Sequence, residues 1–123
     1  MVEKMILSTL PKTWIFDLDG TLVKHNGYLL DGADTLLDGV KEYMGGLPPE
    51  DRILILTSRK ETYKTSTVRF LDENGIRYDA VLFDMPVGER IVVNDRKPSG
   101  IRMAVAVNCT RDRFELPVII RET

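Results

Sequence analysis

Three short polar clusters in this sequence hold residue types that could do chemistry together. The first is Asp17-Leu18-Asp19 with Gly20-Thr21 directly after it, the second Thr57-Ser58-Arg59, and the third Asn94-Asp95-Arg96-Lys97. Two aspartates one residue apart repel each other, and a divalent cation between them reverses the sign of that interaction. Mg²⁺ takes hard oxygen ligands and keeps several waters, so two carboxylates and a carbonyl suffice to hold it. A hydroxyl such as that of Thr57, and the backbone N–H groups that follow Asp19 at Gly20 and Thr21, suit phosphate oxygens, while a lysine or arginine neutralises charge that builds in a transition state. A carboxylate can also attack phosphorus itself and split one hard step into two. Taken together, these residue types fit metal-assisted phosphoryl transfer.

Something must bring the clusters to one place, and the apolar pattern supplies it. Each follows a run that reads as a strand: Trp14–Leu18, Arg52–Thr57 and Arg90–Val93, with further candidates at Ala80–Phe83 and Ala104–Val107. Nearly all are continuous apolar runs, the pattern of strands covered on both faces. Between the first two, Ala33, Leu36, Leu37, Val40, Tyr43 and Met44 follow helical spacing, ended by Gly45-Gly46 and Pro48-Pro49. Glu61–Asn74 places Tyr63, Thr67, Phe70 and Leu71 on one helical face, with Asn74-Gly75 as its stop. Lys97–Met103 suits a short helical turn, and the charged tail 111–123 contains the apolar run Leu116–Ile120, an edge strand or a partner contact. Strands alternating with helices predict a parallel α/β sheet with right-handed crossovers. Such sheets bind ligands at the carboxyl ends of their strands, which is where all three clusters fall.

Those same residues resemble the motifs of the haloacid dehalogenase superfamily of phosphotransferases. Asp17-Leu18-Asp19-Gly20-Thr21 is similar to its first motif, D-x-D-G-T; "ILILTSR" resembles the second, a strand ending in Thr or Ser; "RIVVNDRKP" resembles the fourth, an apolar strand ending in acidic residues. The likeness runs from about Thr13 to Val107. It implies a three-layer Rossmann-like fold with a central parallel sheet, and a magnesium-dependent phosphatase working through an aspartyl-phosphate. Carried over, Asp17 is the nucleophile and a metal ligand, Asp19 the general acid/base and a ligand through its backbone carbonyl, Asp95 the third ligand, and Thr57 the phosphoryl-binding hydroxyl. Gly20, Thr21, Ser58 and Arg59 line the substrate side. Two departures stand out. The acidic pair of the fourth motif is Asn94-Asp95, which assigns the charge-bearing ligand to Asp95 and leaves the role of Asn94 open. The basic residue of the third motif is Lys97, Arg59 or Arg90; Lys97, just past Asp95, is better placed than Arg90, which begins its strand, far from the rim. Members of that superfamily usually carry a cap domain, but residues 22–51 hold only a flap and one helix and residues 60–79 only one helix, so no cap is expected.

Bulk properties bound this reading. At 123 residues, 43% apolar and 29% charged, the chain reads as one domain with a real core, a flap at about 22–30 and a tail at about 111–123. A net charge of −2 is not that of a general nucleic-acid binder. It favours a small phosphorylated substrate such as a sugar phosphate over a polynucleotide or other macromolecular end, the alternative that an open, capless site also suits. No run approaches the ~18 apolar residues of a membrane span, no signal-peptide pattern opens the chain, and the single cysteine, Cys109, forms no internal disulfide. A cytoplasmic protein is expected, without membrane contact, and a homo-oligomer if a second subunit closes the site. The bland readings are a helix cap for Thr57-Ser58, a turn for Asp95, exposed loop for Lys24, His25 and Tyr28 in place of a substrate entrance, and a non-catalytic binding domain for the whole.

Overall fold

A computed structural model describes residues 3–122. In chain order the elements are β1 (Lys4–Leu7), β2 (Thr13–Asp17), α1 (Gly27–Leu30), α2 (Val40–Gly45), β3 (Arg52–Leu56), a 3-10 turn (Glu61–Tyr63) that runs into α3 (Lys64–Glu73), β4 (Ala80–Leu82) and β5 (Val118–Arg121). The result is a mixed α/β chain whose strands are all parallel. One sheet has the order β2-β3-β4 and the other pairs β1 with β5. The Leu116–Ile120 run is thus half used as an edge strand inside the chain, with Ile119 opposite Met5 and Ile120 opposite Ile6. No helix among the described residues is long and apolar enough to cross a membrane.

The three-stranded sheet buries one face. Register sets Trp14 opposite Ile53 and Phe16 opposite Ile55, so these four side chains point the same way. Ile53 and Ile55 are fully buried, and Leu71 of α3 with Val40 and Met44 of α2 join them in the core. Trp14 stacks on Phe16 at 5.8 Å, while Tyr43 meets Trp14 edge-on at 5.9 Å and Phe114 at 5.4 Å, arrangements aromatic quadrupoles favour. Trp14 also anchors the start of β2: its Nε1–H donates to Asp51 Oδ2 at 2.9 Å, and Lys12 N donates to Oδ1 at 3.0 Å. The opposite face stays open, with Ile15 49% exposed, so the expected cover on both faces is met on one only.

Two expected strands are absent from the described residues. Arg90–Val93 and Ala104–Val107 lie in extended or irregular chain, with Ile91 83% and Val93 91% exposed. A strand is held by a neighbour's ladder bonds and by burial of its apolar face, and this run has neither. Lys97–Met103 reduces to a turn in which Gly100 N donates to Lys97 O at 2.8 Å. The helix expected from Ala33 begins only at Val40, after Gly39 at φ 88. Leu36 and Leu37 are diverted, one bridging to Val23 and the other donating its N–H to Leu22 O. By contrast α3 ends where expected, at Asn74 and at Gly75 with its φ of 68.

Candidate active site

Asp17 closes β2 and lies in register with Leu56 of β3, so the chain leaves both strands at the same edge. Beyond Asp17 it folds into a tight loop in which the N–H groups of Thr21, Leu22 and Val23 all donate to Leu18 O, and Gly20 N donates to Val23 O at 2.7 Å. That loop needs the left-handed φ of 83 at Gly20. A Cβ there would come within 3.3 Å of Arg111 Cγ. The backbone donors expected to hold phosphate at Gly20 and Thr21 are therefore spent within the loop. Both residues still line the site, and Thr21 contributes its hydroxyl, which donates to Asp17 Oδ2 at 3.1 Å.

An open cavity of about 570 Å³ lies over this edge, walled by Asp17, Asp19, Tyr28, Ser58, Arg90 and Arg111 among others. Asp17 is 40% exposed at its side chain, and Arg90 Nη1 donates to its Oδ1 at 3.0 Å. Arg90 was expected far from this rim; because its run forms no strand, it instead reaches the first aspartate directly. Asp95 and Lys97 do not line the cavity, so the structure brings together the first and second clusters and leaves the third apart. His25 and Tyr28 line the cavity wall, whereas Lys24 pairs with Asp31 at 2.8 Å. Thr57 is buried, and its hydroxyl accepts from Arg59 N at 3.1 Å, so it caps its own loop and Ser58 takes the place on the wall.

Arg59 does not reach for a ligand at all. Its Nε and Nη2 donate to the two oxygens of Asp19 at 3.0 and 2.9 Å, its Nη2 and Nη1 to the two oxygens of Asp34 at 2.7 and 2.9 Å, and its Nη1 also to Thr67 Oγ1 at 2.9 Å. All five guanidinium N–H groups are thereby used. Its side chain is 1% exposed, with the Tyr28 ring 3.8 Å from its central carbon. Burial opposes the charge more than any other single influence, yet the bonds from Asp34 and Asp19 outweigh it and hold the guanidinium above its already high ordinary pKa. Asp34 gave no signal in the sequence, because it falls in a stretch that reads as helix. Asp112 was equally silent: its Oδ1 accepts from His25 N at 2.7 Å while its N–H donates to Gly20 O at 2.8 Å, pinning the tail to the first loop. Arg111 beside it makes no ion pair among the described residues.

The site offers Mg²⁺ part of what it needs. The Asp17 carboxylate and the backbone carbonyl of Asp19, which accepts no backbone N–H among the described residues, are hard oxygen donors of the kind Mg²⁺ combines with water and substrate phosphate. No group of three metal-ligating side chains occurs among the described residues, and Asp95 does not supply one.

No protein-family model matches the chain, and no curated protein matches it. Solved structures do. A chain of the Pnkp1/Rnl/Hen1 complex is 30% identical with a TM-score of 0.53, over 68% of this chain and 31% of that one. A chain from a structure of the Pnkp1/Rnl/Hen1 RNA repair complex is 32% identical with a TM-score of 0.52, over 68% of this chain and 29% of that one. The chain thus spans less than a third of the length of these solved chains.

Proposed function

We propose that the chain is a phosphatase of the haloacid dehalogenase type, cleaving a phosphomonoester at the end of a polynucleotide through an aspartyl-phosphate on Asp17. The observation that carries this is the pairing of two carboxylates with different surroundings in one open cavity. Asp17 is half exposed and faces the cavity beside a cation, whereas Asp19 is held from behind by Arg59. In the first step an Asp17 oxygen bonds to phosphorus and the ester P–O bond breaks, its electron pair leaving with the alcohol oxygen, which takes a proton from Asp19. In the second, Asp19 removes a proton from water as the water oxygen bonds to phosphorus; the bond to Asp17 breaks, restoring its carboxylate and releasing inorganic phosphate. Arg90 and Arg111 on the cavity wall offset the charge of the transferring group. Mg²⁺, held by Asp17 and the Asp19 carbonyl, would add to that neutralisation.

Two features support a polynucleotide end over a free sugar phosphate. The cavity is open and carries Arg111, which makes no ion pair among the described residues: room and charge for a chain that continues past the terminal phosphate. A solved chain 32% identical to this one belongs to the Pnkp1/Rnl/Hen1 RNA repair complex. Phosphate release from an end-phosphorylated oligonucleotide, set beside release from a panel of sugar phosphates, tests the reading with Mg²⁺ present and with chelator. A higher kcat/KM on the oligonucleotide, loss of activity on chelation, and loss in Asp17→Asn are expected. Faster turnover of a sugar phosphate would return the substrate to a small metabolite, and full activity of Asp17→Asn would remove the nucleophile.

A further inference from the structure

Asp34 has no part in the steps above, yet it is a nearly buried carboxylate, 7% exposed at its side chain, two bonds away from the acid/base through Arg59. It sits between α1 and α2, on the far side of Arg59 from Asp19, and its two oxygens take the Nη1 and Nη2 edge of the guanidinium, leaving the Nε and Nη2 edge for Asp19. A bidentate fork fixes a carboxylate in plane as well as in distance. Two forks on adjacent edges of one planar group fix both carboxylates relative to each other. Thr67 of α3 and the Tyr28 ring hold the same guanidinium from two further directions. Without Asp34, Arg59 would be left with one fork that nothing opposes from the far side, and that fork would open as the guanidinium swings away from Asp19.

We propose that Asp34, acting through Arg59, is a positioning residue that fixes the orientation of the Asp19 carboxylate for proton transfer, an assignment that rests on the phosphatase reading above. Asp34 touches neither substrate nor reacting atoms, so its effect must travel through Asp19. Proton delivery matters in proportion to how poor the leaving group is. An alkyl phosphate needs the proton, whereas 4-nitrophenyl phosphate releases a stable phenolate without it. The constant kcat/KM reports only steps up to departure of the leaving group when that step is irreversible, and so isolates this role from the later hydrolysis.

The test is Asp34→Asn, which keeps size and shape and places an amide N–H₂ against a guanidinium donor. For an alkyl phosphate kcat/KM should fall on the order of 10²-fold, the cost of slight misplacement of a catalytic group. For 4-nitrophenyl phosphate it should stay within about threefold of wild type, since little proton transfer is needed. In the Asp19→Asn background, Asp34→Asn should lower the alkyl phosphate rate no further. Equal losses on both substrates, or a full further loss in the Asp19→Asn background, would reduce Asp34 to a structural residue and overturn the proposal. A second measurement does not depend on activity: the Arg59 Nε–H resonance, protected from exchange by its bond to Asp19, should lose that protection in Asp34→Asn. Retained protection would mean the Arg59–Asp19 fork stands without Asp34, and the proposal fails. If wild type hydrolyses neither phosphate, the phosphatase reading falls, and the Nε–H signal alone decides whether Asp34 sets the geometry of Asp19.

Discussion

Arg90 and Arg59 divide the labour of positive charge at this site. Arg59 is buried and has every N–H occupied by the chain itself, while Arg90 reaches Asp17 with one nitrogen and stays partly exposed to the cavity. Half-exposed ion pairs contribute about 0–1 kcal/mol to stability, so the value of Arg90 should lie in catalysis. Arg90→Ala should therefore lower kcat/KM by about 10²-fold, the usual cost of removing one donor aimed at developing charge. Its free energy of unfolding, followed by denaturant titration, should move by less than about 1 kcal/mol. A large stability loss with proportionate loss of activity would mark Arg90 as a structural strut. Arg59 should behave in the opposite way, since removing it leaves two carboxylates nearly buried without their partner. Such removal destabilises by about 3–5 kcal/mol in buried pairs.

At the scale of elements, β3 and β4 are tied by more than their ladder. Asp79, just before β4, donates its N–H to Ile53 O at 2.7 Å and accepts from Ile53 N at Oδ2, also at 2.7 Å, while Arg52 Nη1 donates to Oδ1 at 3.0 Å. The Ile53 N–H, and after it Arg52, holds the Asp79 carboxyl below its ordinary value of 3.8. A carboxyl with a depressed folded-state pKa adds stability that is present above the unfolded value and lost as pH falls through the folded one. Asp79→Asn should accordingly melt at a lower temperature than wild type at pH 7, and the gap should close as the pH drops below the ordinary 3.8. Thermal melts across that range check it; a gap independent of pH would mean that the ionised carboxylate is not what ties β3 to β4.

For the whole molecule, the long segment between β4 and β5 is the unusual feature. It carries Val87, Ile91 and Val93, all with most of their surface exposed, in a chain whose buried apolar residues form a core around β2, β3, α2 and α3. Substitutions at exposed positions outside special features change stability by less than about 0.5 kcal/mol. Ile91→Thr and Val93→Thr should do the same in urea unfolding, while core Leu71→Ala should cost about 2–5 kcal/mol. Losses of core size at Ile91 or Val93 would place that run in the interior, as its sequence pattern suggests.

The sequence by itself determined the parallel α/β character and the three strands β2, β3 and β4 to within a residue at each end. It also located α3 and its Asn74-Gly75 stop, and the meeting of Asp17 and Asp19 with the loop after β3. All of these rest on local signals: continuous apolar runs, helical spacing, and the rule that parallel strands open at one end. Only the tertiary structure decided which cation serves which carboxylate, because that depends on the path of chain far from either aspartate. Arg90 lies 73 residues beyond Asp17, and Arg59 meets Asp19 across 40 residues and Asp34 across 25. The pairing of β1 with β5 was hidden for the same reason: Leu116–Ile120 reads as an edge strand, but its partner Lys4–Leu7 is short and lies near the other end of the chain. An apolar run such as Arg90–Val93 shows that a segment can be a strand; whether it becomes one depends on a neighbour's free edge, and no local pattern carries that information.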